Sequence, residues 1–549
     1  MFAGLSEPLR RQIAAQAKSI RLEAGEWLFR EGDAGDSLYV VRSGRLEVVV
    51  EEPRVVVVRA LTRGAVVGEL ALLTREPRSA SVRARRDSEL LRVSSTDFAE
   101  LLSHERRFSF ALMRELGRQL RVSRGLDPPE DLLPSTIAIV MAGGKPDAGL
   151  AERLRSALAA HGSVALLDET AIGDDASYGA GLDRAERSHE RVLLAGGAGP
   201  WGTFCLRQAD RILVVAGSRR PPPGATWPAG CDVVLSGPVS APLAGEWVRA
   251  IDPRAIHWLD WGDGVDKGIA RLARRLAGRS VGVVLSSGGA RGLAHIGVLQ
   301  ELLEAGMTID RVGGCSMGAF VGAMFAMGLS PAEIQERCRE ELVKRRPLSD
   351  YAVPTTSLLR GGRARSMLVR TFGETTTFED LTRDYYCVSC DLVSGEQVVH
   401  RRGVLWEAVA ASMCLPGVFT PLPRDGRLLV DGGVLDSLPV ETMAATAEGP
   451  VVAVDVGRRF ERAPARRFRR SRPPVPVLKE TLARSIVLGS LDTAKSARRR
   501  ADLLIEPDTG ACGMLEFSQL DAMVEAGRRA AREHPAYAML RQDATPPLH

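Results

Sequence analysis

The sequence has no run of about eighteen consecutive apolar residues, the length that a membrane-spanning helix requires. The opening stretch, MFAGLSEPLRRQIAAQAKSIR, also lacks the apolar core of a secretory signal, and it predicts an amphipathic helix instead. We therefore expect a cytoplasmic protein with neither a signal peptide nor a transmembrane span.

Cysteine content and net charge are low as well. Eight cysteines are scattered through 549 residues, mostly within apolar runs, which predicts buried, reduced thiols rather than a disulfide framework. Cys387 and Cys390 form a C-x-x-C, but no second ligand pair lies nearby in the sequence, so we predict neither a zinc site nor a redox site there. A net charge of +5 is too small for a chain of this length to favour nucleic acid as a partner.

The chain is too long for a single hydrophobic core, and its 45% hydrophobic and 26% charged residues are typical of globular domains. Breaks rich in proline, glycine or charge interrupt it near residues 124–135, 261–268 and 461–477. We predict three domains, over residues 1–125, 126–278 and 279–535.

The first two domains have different apolar patterns. Short alternating runs over residues 20–95 predict an antiparallel β-roll, followed by helices over 96–124. Residues 136–258 alternate apolar runs with helix-like segments, which predicts an α/β connector with a parallel sheet. Its MAGGKPDAG stretch lacks the G-K-[ST] ending of a phosphate-binding loop, so we assign no nucleotide to the connector.

Residues 313–320, GGCSMGAF, contain a G-x-S-x-G centred on Ser316. A strand-like segment precedes it and a helix-like segment follows, which is the context of a nucleophile elbow. We expect Gly314 and Gly318 to let the strand and helix approach closely around a strained serine. The start of the helix would direct its dipole at developing negative charge.

Two further motifs flank this one. VGVVLSSGGARGLAHIGVLQEL, residues 281–302, predicts a strand, a glycine turn and a helix, with the N–H groups of Gly288 and Gly289 facing an anion. That anion is either the oxyanion of acyl transfer or a bound phosphate; the G-x-G-x-x-G spacing of dinucleotide sites is missing. In RLLVDGGVLDSLPV, residues 427–440, Asp431 ends a strand before two glycines, either as a catalytic carboxylate or as an Asx-turn residue.

Together, residues 281–440 resemble the patatin-like phospholipase family, and the resemblance continues through AVAASMCLPGVFTPL, residues 408–422. It implies an α/β hydrolase domain with a Ser–Asp dyad, in which Ser316 is the nucleophile and Asp431 the general base. The oxyanion loop would comprise Gly288, Gly289, Ala290 and Arg291. No catalytic cofactor, metal or histidine is implied, and we expect His295 to pack on a helix face.

Three positions depart from the family pattern. Ser286 and Ser287 stand where the family usually has glycines, and a positive φ there would strain the loop and reduce activity. Cys315 stands where the family often has threonine, next to the nucleophile, where it is a candidate for modification.

Residues 66–84, VVGELALLTREPRSASVRA, resemble the phosphate-binding cassette of cyclic-nucleotide-binding domains. The resemblance spans residues 5–124. It implies that Arg78 pairs with the cyclic phosphate and Glu69 with the ribose 2′-hydroxyl, while Gly68 and Ser79 contact the same groups. The ligand would be cAMP or cGMP acting allosterically; the alternative is a degenerate cassette kept for packing.

The order of the three domains resembles that of bacterial relatives of neuropathy target esterase. This resemblance implies hydrolysis of carboxyl esters in phospholipids or lysophospholipids, regulated by the cyclic nucleotide. One alternative is a catalytically weak or inactive cyclic-nucleotide sensor or scaffold, which Ser286 and Ser287 favour. A second is a transcription factor of the catabolite-activator type, but no recognition-helix pattern follows the linker.

A lipid substrate requires contact with an interface. Residues 458–479 mix arginines with Phe460 and Phe468, and they predict either a loop that docks on anionic headgroups or a solvated insertion. The KRRP stretch, residues 344–347, would extend the same basic patch. Docking would place the protein peripherally at the inner membrane surface.

Overall fold

The computed structural model of this chain describes residues 17–536 with several internal gaps. These gaps are residues 51–55, 105–107, 111, 114–115, 118–132, 143–147, 173–177, 198, 223, 225, 229, 238, 260–263, 354–355, 458–487 and 511. The chain forms two compact units, residues 1–277 and 278–549. The predicted boundary at residue 125 lies outside the described residues.

The first unit begins with two four-stranded antiparallel sheets, which confirm the predicted β-roll. Their orders are β1-β8-β3-β6 and β2-β7-β4-β5. Successive side chains of a strand point to opposite faces, so Leu46 and Leu90 are buried between the sheets, whereas Leu38 is buried against Phe98 and Leu101 of the following helix. The strands are β1 Lys18–Leu22, β2 Trp27–Phe29, β3 Ser37–Ser43, β4 Leu46–Val50, β5 Val56–Leu61, β6 Val66–Val67, β7 Ser81–Ala84 and β8 Ser88–Ser94, with helices α1 Glu69–Thr74 and α2 Ser95–His104.

The same unit continues into a six-stranded sheet that is parallel throughout, as the alternating pattern predicts. Its order is β10-β11-β9-β12-β13-β14. The central strands are almost wholly buried because helices cover both faces. The strands are β9 Thr136–Met141, β10 Val164–Leu167, β11 Arg191–Gly196, β12 Arg211–Ala216, β13 Asp232–Ser236 and β14 Ala255–Leu259. The helices are α3 Ala148–Ala159, α4 Glu169–Ile172, α5 Tyr178–Ser188, α6 Gly199–Gln208, α7 Ala241–Ile251 and α8 Val265–Leu276.

Asp210 connects the β-roll to the parallel sheet within this unit. Its carboxylate accepts hydrogen bonds from Arg45 Nη1 at 2.9 Å and from the backbone N–H of Thr136 at 3.0 Å, and Arg86 Nε lies 3.8 Å away. Burial alone would raise the pKa of Asp210, but Arg86, Arg45 and the neighbouring donors lower it to about 2. The ionised carboxylate therefore offsets the charge of buried Arg45, and it shares Arg86 with Glu186, which lies 2.7 Å from that arginine.

Replacing Asp210 by alanine is expected to lower the free energy of unfolding by about 3–5 kcal/mol, because buried Arg45 loses the carboxylate that contacts it and Arg86 loses one of its two nearby carboxylates. Since the pKa of Asp210 is depressed, the stabilisation that its carboxylate gives the fold is fully present above about pH 4. This stabilisation is lost as the pH falls through about 2. Urea unfolding at neutral pH measures the effect. Asp266→Ala, which removes an exposed partner of Arg153, is the control; an equally large loss there would contradict the assignment.

The second unit is built on an eight-stranded sheet of order β19-β20-β17-β16-β15-β21-β22, with β18 also paired to β17. Strands β17, β16, β15, β21 and β22 are parallel, and β18, β19 and β20 form antiparallel pairs. The strands are β15 Val281–Leu285, β16 Ile309–Cys315, β17 Asp384–Asp391, β18 Gln397–His400, β19 Leu422–Arg424, β20 Arg427–Asp431, β21 Val451–Val454 and β22 Leu503–Ile505. The helices are α9 Ala294–Glu304, α10 Met317–Ala326, α11 Pro331–Cys338, α12 Gly362–Phe372, α13 Leu405–Ser412, α14 Val440–Ala444, α15 Leu491–Arg500 and α16 Leu520–Glu533.

The pairing of β17 determines where the site forms. Val388 pairs with Cys315 of β16, and the next residue, Ser389, pairs with Asp431 of β20. Both Val388 and Ser389 also pair with β18, so β16 and β20 share the opposite edge of β17 and meet end to end. Ser316 and Asp431 are therefore brought together by strand register.

Among the described residues, the structure contains no helix that is both long and apolar enough to cross a lipid bilayer.

Candidate active site

Ser316 lies in the turn between β16 and α10, with φ 56° and ψ −118°. A non-glycine residue adopts this left-handed conformation only where its surroundings enforce it. A Cβ atom on Gly314 would lie 2.5 Å from the Gly318 backbone, and one on Gly318 would lie 2.2 Å from the Leu285 carbonyl oxygen. The predicted close approach of strand and helix is confirmed, and the strained turn presents the serine hydroxyl at the helix N-terminus.

Asp431 accepts hydrogen bonds on both carboxylate oxygens. The Ser316 hydroxyl donates to Oδ2 at 2.6 Å, and the backbone N–H of Gly433 donates to Oδ1 at 2.8 Å. One oxygen thus makes the Asx-type contact while the other faces the serine. Asp431 is 1% exposed, and burial raises its pKa to about 6 against the opposing effect of these donors.

Cys315 lies behind the serine and is fully buried. Its Sγ lies 3.7 Å from Oδ1 of Asp431, to which it donates a weak hydrogen bond. Burial, followed by the charge of Asp431, raises the pKa of its thiol. A buried, protonated thiol does not meet reagents in solvent, so the expectation that Cys315 is a candidate for modification is wrong for this structure.

The glycine loop forms a 3-10 helix, Gly289–Leu293, that leads into α9. Gly289 has φ +58°, and a Cβ atom there would lie 2.2 Å from the carbonyl oxygen of Met514. The N–H of Ala290 donates to that same oxygen at 2.8 Å, so it is not directed at the serine. Gly288, Gly289 and Arg291 line the cavity with Ser316, and Arg291 Nε donates to the Gly288 carbonyl at 3.3 Å.

Neither serine at the start of this loop has a positive φ. Ser286 accepts a hydrogen bond on its hydroxyl from Val456 N–H at 2.9 Å, and Ser287 N–H donates to the Ser437 carbonyl at 2.8 Å. The backbone strain that a positive φ would cause at these positions is therefore absent. His295 is fully buried on α9 with Nε2 2.9 Å from the Ser286 carbonyl, and burial lowers its pKa to about 4; it packs as expected.

A cavity of about 440 Å³ opens beside Ser316 and Asp431. Its lining is mostly apolar. The large apolar side chains that contribute to it include Leu342, Met367, Leu368, Trp406, Met413, Val418, Phe419, Leu422, Met514 and Phe517. Such a lining suits a hydrocarbon chain, and Ser316 and Asp431 are among its polar groups.

Two residues that touch the site have no role in the predictions from sequence. The buried Ser412 hydroxyl accepts the backbone N–H of Ser316 at 2.9 Å, which fixes the turn. Met514 supplies the carbonyl that holds Ala290. Ser412 belongs to the AVAASMCLPGVFTPL stretch, so this motif could have identified it as a residue of the site. No motif in the sequence marks Met514.

The cyclic-nucleotide cassette lies in the first unit. Gly68, with φ +86°, precedes α1, and Glu69 and Arg78 are buried while Ser79 is exposed. The Arg78 guanidinium donates to the carbonyls of Gly68 at 2.9 Å and Ser37 at 2.8 Å. Its carbon lies 4.2 Å from the centre of the Phe29 ring. The arginine is thus held within the cassette beside the start of the short helix.

Other predicted features have separate outcomes. Residues 458–479 lie outside the described residues. In the KRRP stretch, Lys344, Arg345 and Arg346 are exposed. Cys387 and Cys390 are buried free thiols, and in the described part of the chain no three His, Cys, Asp or Glu side chains cluster as metal ligands would.

Two regions of the chain match models of known protein families. Residues 283–444 match the patatin-like phospholipase model, and residues 19–105 match the cyclic nucleotide-binding domain model. The chain is 35% identical to an uncharacterized NTE family protein from Mycobacterium tuberculosis, over 97% of this chain and 94% of that protein. It is 31% identical to human patatin-like phospholipase domain-containing protein 6, over 84% of this chain but 39% of the human protein.

Among solved structures, the N-terminal domain of a transcriptional regulator from Streptomyces coelicolor A3(2) is 30% identical. That match covers 23% of this chain and 90% of the other, with a TM-score of 0.20.

Proposed function

The chain belongs to the NTE family, with a cyclic nucleotide-binding domain and a patatin-like phospholipase domain, and we propose that it is a serine esterase acting on phospholipids or lysophospholipids. The observation that carries the proposal is the 2.6 Å hydrogen bond from the Ser316 hydroxyl to Asp431 in the lining of a mostly apolar cavity. The substrate bond is the carboxyl ester between an acyl chain and glycerol.

In the proposed reaction, Asp431 accepts the Ser316 proton as the hydroxyl oxygen attacks the ester carbonyl carbon. The carbonyl oxygen becomes an oxyanion, which the N–H groups of Gly288 and Gly289 stabilise from the glycine loop. Collapse breaks the bond to the glycerol oxygen, which takes the proton from Asp431. Water, deprotonated by the same carboxylate, then attacks the acyl-enzyme; the bond to the serine oxygen breaks, Asp431 returns the proton to Ser316, and the fatty acid is released.

The burial of Asp431 makes a direct dyad chemically reasonable. An ordinary aspartate is a weak base, whereas a carboxylate with a pKa of about 6 accepts a proton more readily while remaining mostly ionised at pH 7. The alternative of an inactive sensor or scaffold depended on strain at Ser286 and Ser287. Since both residues have ordinary φ values, no observation in the described residues favours it.

Hydrolysis of lysophosphatidylcholine, phosphatidylcholine and a short p-nitrophenyl ester by the purified full chain tests this function. The proposal expects release of fatty acid from at least one lipid and of p-nitrophenol from the short ester. A chain that hydrolyses none of them, while folded by circular dichroism, would overturn the proposal.

We further propose that cAMP or cGMP binds the cassette and changes the rate of hydrolysis, and that the protein works in the cytoplasm and peripherally at the inner membrane surface. Allosteric couplings are typically about 1–3 kcal/mol, which corresponds to about a five- to 150-fold change. The proposed phosphate contact is Arg78, already placed beside the N-terminus of α1.

Arg78→Lys is expected to weaken cAMP or cGMP binding by about tenfold or more, because lysine keeps the charge but loses the two-point hydrogen bonding of the guanidinium. Isothermal titration calorimetry measures the affinity. Arg63→Ala, an exposed arginine of the same β-roll, should bind as the wild type does. If Arg78→Lys binds normally, the cassette does not use this arginine for phosphate.

A further inference from the structure

One edge of the second unit exposes several large apolar side chains together. Leu392 and Val393, in the turn after β17, are 50% and 68% exposed; Val399 on β18 is 39% exposed and Leu428 on β20 is 41% exposed. The Leu392 N–H donates to the Leu428 carbonyl at 2.8 Å, so the turn and the β19–β20 hairpin are adjacent. We call the region formed by residues 392–402 and 422–428 the edge surface.

The edge surface is also basic, because its four arginines outnumber its acidic residues, Glu396 and Asp425. A cavity of about 320 Å³ is lined by Val399, Leu429 and charged groups that comprise Arg401, Arg402, Arg424, Arg427 and Asp425. Four arginines and one aspartate give these lining residues a net charge of +3. His400, also in the lining, adds no charge near neutral pH, because burial and then Arg424 and Arg427 lower its pKa to about 4. Positive charge and exposed apolar surface thus occur side by side.

The β19–β20 hairpin joins this surface to the catalytic cavity. Leu422 and Asp431, at the base of the hairpin, both line the catalytic cavity. Arg424 and Arg427 are opposite each other in the strand register next to the tip of the hairpin. Since an extended strand rises about 3.4 Å per residue, Arg424 lies only about 7 Å along the strand from Leu422. A lipid held at the edge surface would therefore be close to the apolar lining.

We propose that the edge surface docks the second unit on an anionic lipid bilayer. Apolar side chains that enter the headgroup region, flanked by arginines that pair with acidic lipids, are the two components of peripheral membrane binding. A nucleic acid or a free anion would satisfy the arginines but would leave the apolar side chains exposed. The inference rests on the proposed function for its biological purpose, and it concerns residues other than 344–347 and 458–479.

Vesicle flotation with full-length Ser316→Ala protein tests the docking without any catalysis. The vesicles are phosphatidylcholine alone, or phosphatidylcholine with phosphatidylglycerol in equal parts. We expect stronger binding to the anionic vesicles. Arg427→Glu should weaken it by about fivefold or more, as one basic residue near an anionic surface contributes about that factor. Val393→Glu should weaken it similarly by removing an apolar contact, whereas Arg529→Glu, an exposed arginine on α16, should have little effect.

Three outcomes would overturn the proposal. The first is that the protein with an unchanged edge surface does not bind anionic vesicles. The second is that Arg529→Glu loses as much binding as the edge variants do. The third is that Arg427→Glu loses binding but Val393→Glu does not, which would indicate a purely ionic anion site. In a chain that keeps Ser316, the Arg427→Glu and Val393→Glu variants should hydrolyse the short p-nitrophenyl ester normally. Their hydrolysis of lipid in vesicles should fall in parallel with their binding to the vesicles. Normal docking by a chain that hydrolyses nothing would overturn the proposed function and leave the docking intact.

Discussion

The Ser316→Ala chain is expected to lose about 10⁴-fold or more in kcat/KM for lysophosphatidylcholine, with an equal loss for the short p-nitrophenyl ester. Both substrates are affected alike because the substitution removes the attacking oxygen and leaves the cavity unchanged. Ser316 is the residue that the strained turn between β16 and α10 presents to Asp431. Steady-state hydrolysis of the two esters measures the loss.

Ser366→Ala is a suitable control for this substitution. Ser366 lies on α12, is exposed, and donates only to a carbonyl of its own helix, that of Gly362, so its loss should leave both rates within about twofold. If Ser316→Ala retains substantial hydrolysis of either ester, another group is the nucleophile and the dyad is wrong.

Asp431→Asn is expected to reduce kcat/KM by about 10³- to 10⁴-fold, comparable to the effect of replacing a catalytic aspartate by asparagine in other serine hydrolases. Asparagine can preserve the shape of the side chain and the contact with Gly433, but it cannot accept the Ser316 proton. Steady-state hydrolysis of the same two esters, supported by a thermal melt, measures the change. Because burial raises the pKa of Asp431, its ionised form is disfavoured in the fold, and the neutral asparagine should not lower Tm.

Asp436→Asn is the matched control, five positions further along the chain. Asp436 is also partly buried with a raised pKa, but it accepts hydrogen bonds from Gln397 and the Leu438 N–H rather than from the serine. It should therefore retain most of the activity. Similar losses in both variants would mean that carboxylate burial, and not proton transfer, explains the effect.

The raised pKa of Asp431 also predicts the direction in which kcat/KM changes with pH. The base must be ionised to act, so kcat/KM should be level above the pKa of about 6 and should fall about tenfold per pH unit below it. The residual activity of Asp431→Asn should lack this acid limb. A wild-type profile that falls only below pH 4 would contradict the raised pKa.

Much of the site could be predicted from local sequence. The G-x-S-x-G motif requires glycines on both sides of Ser316 because the backbones of Gly314 and Gly318 are in contact. The same reasoning from neighbouring residues predicts the β-roll and the parallel strands. The sequence left open whether Ser286 is strained, because family resemblance indicates a preferred residue type, whereas φ depends on the hydrogen bonds that the loop forms with β21 and its neighbours.

Long-range contacts could not be predicted in this way. Asp431 reaches Ser316 because β16 and β20 share one edge of β17, and no local pattern encodes that register. Ser412 lies 96 residues from the N–H that it accepts. Met514 shapes the glycine loop through a backbone carbonyl, which any residue type could supply.

The most direct test of the Ser316–Asp431 dyad is the rate at which a fluorophosphonate probe modifies the full chain, followed by peptide mass spectrometry over a pH series. The dyad predicts a single adduct on Ser316, formed at a rate that rises as the pH passes through about 6 and is strongly reduced in Asp431→Asn. An adduct on another residue, or hydrolysis of lipid esters by a chain whose Ser316 is never modified, would contradict it.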